Sequence, residues 1–108
     1  MKITHRSFHL KRQKLARTSH GTAVTAIIAS RSGWHGLLPG AEIFHADVFH
    51  RNKKGKAVGS SKSIVRAIDW MIHQKVPVVN FCIGGGRNKL IEKYVEHASA
   101  AGMILIAS

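Results

Sequence analysis

The chain has 108 residues, 44% of them hydrophobic, and a formal net charge of +12 at pH 7. This length leaves room for one domain at most, and the hydrophobic fraction excludes a compositionally disordered chain. The charge favours acidic partners such as nucleic acid or anionic membrane, but it carries no information about the fold. The single cysteine, Cys82, excludes an internal disulfide. No apolar run approaches the ~20 residues of a membrane-spanning helix.

Residues 1–17 are predicted to form a basic, irregular and solvated segment with room for one short strand. They hold six of the seventeen Lys and Arg residues, and Ile3 and Phe8 are their few apolar anchors. No apolar stretch follows the charges, so we do not expect a secretory signal here. An export signal would then lie outside these 108 residues. Residues 18–108 are predicted to be part of a larger domain.

The first predicted helix covers residues 20–30, with Ser19 as its N-cap. It is apolar nearly all round, which indicates burial inside a larger body. Glycines and a Pro-Gly pair predict a loop over residues 31–40. Residues 41–49 are predicted to form a strand with apolar side chains on both faces, as in a covered parallel sheet.

A basic loop over residues 50–59 is predicted to lead into a second helix, which Ser60 or Ser61 caps and which runs to about Lys75. Its inward stripe has helical spacing and consists of Ile64, Ile68, Met71 and Ile72. Residues 76–83 form a β-branched run that predicts a buried strand.

Three consecutive glycines, Gly84 to Gly86, end that strand. Asn88 is predicted to cap a third helix, whose inward residues are Leu90, Ile91, Tyr94, Val95 and Ala98. Gly102 is predicted to end this helix by adopting the left-handed backbone conformation. Residues 103–107 are predicted to form a last short strand. Strands that alternate with helices imply parallel pairing through right-handed crossovers. We therefore predict the α/β class, a layered parallel sheet with helices on both faces, here as a partial domain.

The run Ser19-His20-Gly21-Thr22-Ala23-Val24 resembles the histidine motif of the subtilisin-like serine peptidases, in which His-Gly-Thr opens a buried helix. Further segments resemble the family's later motifs, and they come in the family's order. They are Gly36–Glu42, Ala46–Phe49, Ala67–Trp70, Val78–Gly85 and Met103–Ser108. The resemblance covers about residues 18–108. It departs from the usual pattern at Ala23, which replaces a common second His, and at Cys82, where Ser is usual.

This resemblance implies peptide-bond hydrolysis by acyl transfer, in which a serine attacks, a histidine acts as general base and a buried aspartate orients the ring. His20 matches the base, and imidazoles titrate near neutral pH as that role requires. No Asp or Glu precedes His20, and no Gly-Thr-Ser occurs. The oxyanion asparagine would follow Ser108. We therefore expect no peptidase activity from these 108 residues alone.

The resemblance also implies two walls of a substrate cleft, between which an extended peptide adds as a strand. One wall is Ala57, Val58 and Gly59, and the other is Ile83, Gly84 and Gly85. The intact parent would act on peptides or proteins without a cofactor. The family suggests a secreted or periplasmic location, which the sequence itself leaves open.

Other interpretations of the same residues remain open. His20 could be a structural helix-capping residue, and Gly84 to Lys89 could cradle a phosphate, although the spacing of a nucleotide loop is lacking. Cys82 could be a nucleophile, but a buried free cysteine is usually inert. His45, Asp47 and His50 could suggest a metal. His50 falls on the opposite strand face from the other two and nothing completes a cluster, so no metal is predicted.

An alternative function from another class is a non-catalytic basic module that binds an acidic partner such as nucleic acid. Residues 2–17 and 51–56 carry the charge for it, but no recognition motif or stacking aromatics accompany them. We regard nucleic-acid binding as the weaker hypothesis. A partial domain should also leave apolar surface exposed, so we expect marginal folding, aggregation or self-association.

Overall fold

The computed structural model describes residues 2–10, 14–15, 20–33, 35–82 and 86–107. Over these residues the chain alternates short strands with helices. In chain order the elements are β1 (Ile3–Ser7), β2 (Lys14–Leu15), α1 (His20–Ala29), β3 (Ile43–Asp47), β4 (Phe49–Arg51), β5 (Ala57–Gly59), α2 (Ser61–His73), β6 (Val78–Phe81), α3 (Lys89–Ala100) and β7 (Ile104–Ala107). No helix among the described residues is long and apolar enough to cross a membrane.

Two parallel strand pairs confirm the predicted α/β class. Strand β1 pairs with β3 from Ile3 opposite Ile43 to Ser7 opposite Asp47. Strand β6 pairs with β7, with Val78 opposite Ile104. The N-terminal segment contains β1, the short strand expected there, and also a second strand, β2, that was not expected. The proposed boundary between residues 17 and 18 stays a prediction.

The prediction of a loop over residues 50–59 is wrong in part, because β4 and β5 form an antiparallel hairpin that β2 joins. The turn is held by the Asn52 side chain, whose Oδ1 accepts the backbone N–H of Lys54 at 2.9 Å and of Lys56 at 3.0 Å. Gly55 takes φ +76°, which glycine adopts without strain. Asn at the first position and Gly at the fourth are favoured in type I turns, around which four- and five-residue hairpin loops are most often built.

The predicted helix caps are largely confirmed. Ser60 is the N-cap of α2, and its Oγ accepts the Ser63 N–H at 3.1 Å. Asn88 caps α3 by accepting the N–H groups of Leu90 and Ile91. Gly102 ends α3 with φ +93°. The proposed cap of α1, Ser19, lies outside the described residues, and Leu90, predicted to face inward, is 47% exposed.

The core lies where α2 and α3 pack on the strands, and its buried members include Phe8, Val48, Ile64, Ile68, Trp70, Met71, Val79 and Ala98. Phe8 is an anchor as expected: it is buried, and its ring centroid lies 5.6 Å from that of Trp70. Helix α1 contributes little, because Ala29 is its only fully buried residue. Its apolar circumference is therefore only partly covered.

A cavity of about 1220 Å³ is lined by β3, β6, α1 and α2. In the part of the chain that the structure describes, β3 pairs only with β1, and β6 pairs only with β7. The two parallel pairs thus remain separate sheets, with the cavity beside both. Its volume exceeds the ~300–1,000 Å³ of ordinary ligand pockets.

Candidate active site

His20 is the first residue of α1, and its exposed side chain meets two other elements. Its Nε2 lies 3.1 Å from the carbonyl oxygen of Cys82, which directly follows β6. Its ring stands edge-on to Phe49 of β4, with centroids 6.5 Å apart and planes at 89°. The start of α1, the end of β6 and the β4–β5 hairpin therefore converge at this imidazole.

The contact with Cys82 determines which ring nitrogen of His20 carries a proton here. A carbonyl oxygen only accepts hydrogen bonds, so Nε2 must donate. In the neutral ring the free lone pair is then on Nδ1. The His20 side chain is exposed, and it lines the cavity together with Phe49 and Cys82.

The predicted cleft wall Ala57, Val58 and Gly59 is strand β5. On one side β5 pairs with β4, with Gly59 opposite Phe49 and Ala57 opposite Arg51. Because Phe49 also touches the His20 ring, the Gly59 end of β5 is the end nearer the imidazole. Within the described residues β5 is the last strand of its sheet, so its other edge is open to an added strand.

The second predicted wall, Ile83, Gly84 and Gly85, lies outside the described residues. Cys82, immediately before it, is half-buried, and its carbonyl is the group that contacts His20. The Asn80 side-chain N–H donates to Cys82 Sγ at 2.9 Å. The sulfur of this cysteine therefore accepts a hydrogen bond from a neighbouring side chain.

The start of α1 packs closely against β3 through Gly21 and His45, a contact that the sequence analysis did not predict. Gly21 lies against His45 of β3, and a Cβ on Gly21 would stand 2.7 Å from His45 Nε2. The ring of His5 in β1 lies 5.1 Å from that of His45. Burial, and then the neighbouring His5, lower the pKa of His45 from its ordinary value of 6.5, while Asp47 opposes this shift. Gly21 and His45 are 24 positions apart, so no local pattern shows the contact.

Both carboxylate oxygens of Asp47 contact neighbouring residues. Its Oδ2 lies 3.5 Å from His9 Nε2, and its Oδ1 accepts the backbone N–H of Phe49 at 3.2 Å. Among the residues that the structure describes, no three His, Cys, Asp or Glu side chains come together as metal ligands.

Comparison with known proteins supports the motif analysis. The chain matches the subtilase family, the S8 peptidases, over residues 6–108. It belongs to the subtilase family. The match includes His20, the β4–β5 hairpin and all three helices.

Several curated proteins of the same family resemble this chain. It is 34% identical over 104 residues to a subtilisin-like protease of Coccidioides posadasii, which covers 90% of the chain and 24% of that protein. It is 29% identical over 93 residues to the thermostable alkaline protease of Halalkalibacterium halodurans, with 82% and 25% covered. It is also 29% identical over 93 residues to the minor extracellular protease Epr of Bacillus subtilis, with 82% of the chain and 14% of that protein covered. The chain thus spans a quarter or less of these relatives.

Proposed function

We propose that this chain supplies the general base and one substrate-binding edge to a serine peptidase that hydrolyses peptide bonds. The observation that carries the proposal is the position of His20. A subtilase chain presents an accessible imidazole at a helix start, beside the open strand β5 and the end of β6. Family membership favours this function over a non-catalytic basic module.

In the proposed reaction His20 takes the proton of the attacking serine hydroxyl and later returns it to the leaving amine. The bond from Nε2 to the Cys82 carbonyl must open first, because a protonated nitrogen cannot accept. The ring must also change tautomer: Nε2 loses its proton to water and Nδ1 gains one from water, and the family's aspartate would then hold the Nδ1 proton. Both the serine and this aspartate would come from other parts of the parent domain.

Strand β5 is proposed to bind the substrate backbone. An extended peptide that adds to its open edge gains main-chain hydrogen bonds without regard to side chains. Gly59 packs against the core, since a Cβ there would lie 3.4 Å from Ile64 Cδ1. The substrate-facing edge is therefore anchored by the first turn of α2. The second wall, residues 83–85, is proposed on the resemblance alone.

A chimera tests this proposal directly. Residues 6–107 would replace the matching segment of the Halalkalibacterium halodurans thermostable alkaline protease, and hydrolysis of a chromogenic peptide would be measured. We expect His20→Ala to lower kcat/KM by about 10⁴-fold or more. His73→Ala, which removes another exposed histidine on α2, should leave kcat/KM within about twofold.

Full activity of the His20→Ala chimera would disprove the assigned role. Should the chimera with His20 be inactive although circular dichroism shows the fold of the host enzyme, the proposal would also fail. The 108-residue polypeptide alone is expected to release no product from the same peptide.

A further inference from the structure

The β4–β5 hairpin carries a dense group of positive charges next to the proposed substrate edge. Four basic residues lie on this hairpin and all are exposed: Arg51, Lys53, Lys54 and Lys56. Arg51 is directly opposite Ala57, the first residue of β5. The other three belong to the turn that leads into β5. The charges therefore lie at the end of β5 that is farther from His20.

These charges sit on an ordered turn. Besides the two bonds to the Asn52 side chain, the Asn52 N–H donates to the Lys56 carbonyl at 2.9 Å, and the Gly55 N–H donates to the Asn52 carbonyl at 3.0 Å. Four hydrogen bonds within five residues limit the conformations of the backbone that carries the lysines. The backbone of the turn therefore loses little conformational entropy when a partner binds, although the lysine side chains themselves are exposed.

No ion pair of the described residues neutralises this group. Within the described ranges, the ion pairs of Glu42, Asp47, Asp69 and Glu92 are with Lys2, His9, His73 and Arg87, and no carboxylate lies within 4 Å of the hairpin cations. Uncompensated charge beside a binding edge selects partners of opposite sign and speeds their association.

We propose that the hairpin, defined as residues 49–59, makes this edge selective for acidic peptides, with the carboxylates located over the turn at Lys53 and Lys54. This inference rests on the proposed binding of an extended peptide at β5. A strand rises about 3.3 Å per residue, so the turn lies several residues along the peptide from the position opposite Gly59. The charge selectivity would therefore concern substrate residues several positions away from the scissile peptide bond.

Photo-crosslinking to the full 108-residue chain tests the inference. The probes are capped eight-residue peptides with benzoylphenylalanine at the centre and a Glu-Glu, Gln-Gln or Lys-Lys pair at one end. Sets with the pair at either end are used, because an added strand can run parallel or antiparallel. Trypsin cleaves after Lys56 and after Lys62 and so releases residues 57–62 as one fragment. Mass spectrometry then measures the peptide attached to this fragment.

We expect the Glu-Glu peptide of one set to label this fragment about fivefold more than the Gln-Gln peptide at low salt. The preference should shrink at 0.5 M salt, because ions screen exposed charges. Lys53→Glu with Lys54→Glu should abolish it. The control, Lys75→Glu with Lys93→Glu, makes the same change of net charge just after α2 and within α3, away from the hairpin, and should retain the preference.

Equal labelling of the fragment by all peptides would overturn acidic selectivity and leave strand addition at β5 standing. Equal loss of preference in both charge variants would also overturn it, because the overall charge would then be responsible. Labelling that never reaches residues 57–62 would refute peptide binding at this edge and the selectivity with it.

Discussion

At the scale of single residues, the glycine of the His-Gly-Thr motif has a specific neighbour in this chain. Alanine is favoured over glycine within helices by about 1 kcal/mol, so helix propensity alone predicts that Gly21→Ala is stabilising. The structure predicts the opposite, because the new Cβ would stand 2.7 Å from His45 Nε2. The His45 ring is half-buried and has the His5 ring on another side, which limits its room to move.

We predict that Gly21→Ala lowers the free energy of unfolding by about 1–2 kcal/mol, as overpacking commonly does. Urea denaturation followed by tryptophan fluorescence would measure it. In a His45→Ala background the same substitution should be neutral or stabilising. An equal loss in both backgrounds would show that the two residues are not coupled.

His45 also predicts a pH dependence of stability. Its pKa is lowered in the folded chain, first by burial and then by His5, so the unfolded chain binds the proton more tightly. The contribution of His45 to stability is therefore fully present above pH 6.5, its ordinary pKa, and is lost as the pH falls through its folded pKa.

We expect the thermal midpoint to fall between pH 7 and pH 5, and to fall less in His45→Gln. His73→Gln removes an exposed histidine that contacts Asp69, and it serves as the control. If both variants show the same pH profile as the original chain, His45 does not contribute in this way.

At the scale of elements, the end of α1 depends on the loop that follows it. The N–H groups of Gly36, Leu37 and Leu38 donate to the carbonyls of Ser30, Ile27 and Ile28 at 2.9, 3.1 and 2.6 Å. These bonds satisfy carbonyls that a helix end otherwise leaves free. A Cβ on Gly36 would lie 2.7 Å from backbone atoms of residues 28–30, which cannot move aside as a side chain can.

We predict that Gly36→Ala detaches this loop and destabilises the chain by about 2–3 kcal/mol. Hydrogen exchange would show it as faster exchange of the amides of residues 36–38. Gly40→Ala is the matched control, since its Cβ would meet nothing within 4 Å. Unchanged protection of residues 36–38 in Gly36→Ala would contradict the prediction.

At the scale of the whole molecule, much apolar surface remains uncovered. Val78, Ile104 and Ile106 on the β6–β7 pair are 49%, 60% and 53% exposed, and Leu37 and Leu38 are 84% and 62% exposed. Val78 lies opposite Ile104 in the parallel register, so these side chains share a sheet face. The buried residues Val79 and Met103 belong to the opposite, helix-covered side. This exposure confirms the expectation of uncovered apolar surface.

We predict that the isolated chain self-associates and binds a hydrophobic dye such as ANS. Sedimentation velocity should show a weight-average mass that rises with concentration. Ile104→Lys with Ile106→Lys should reduce this association, whereas Leu90→Lys, a similarly exposed apolar site on α3, should change it less. A sharp two-state melt from a monomer at every concentration would contradict the prediction.

Local patterns determine a large part of this protein. The amphipathic stripe of α2, the caps Ser60 and Asn88 and the stop at Gly102 depend on neighbours within a few residues, so each was predictable from the sequence. The position of His20 at a helix start was also predictable, because the His-Gly-Thr motif consists of adjacent residues. The turn at Asn52 and Gly55 was equally local, and the density of lysines around it led to the prediction of a loop.

Contacts between distant residues were decided only by the tertiary structure. The bond from His20 to the Cys82 carbonyl spans 62 positions, and the fit of Gly21 against His45 joins a helix to a strand. The open edge of β5 follows from which strands pair, and the exposed face of β6–β7 follows from where α3 packs. Side-chain periodicity predicts that a helix or strand has an apolar face. Which element covers that face is decided only when the chain folds.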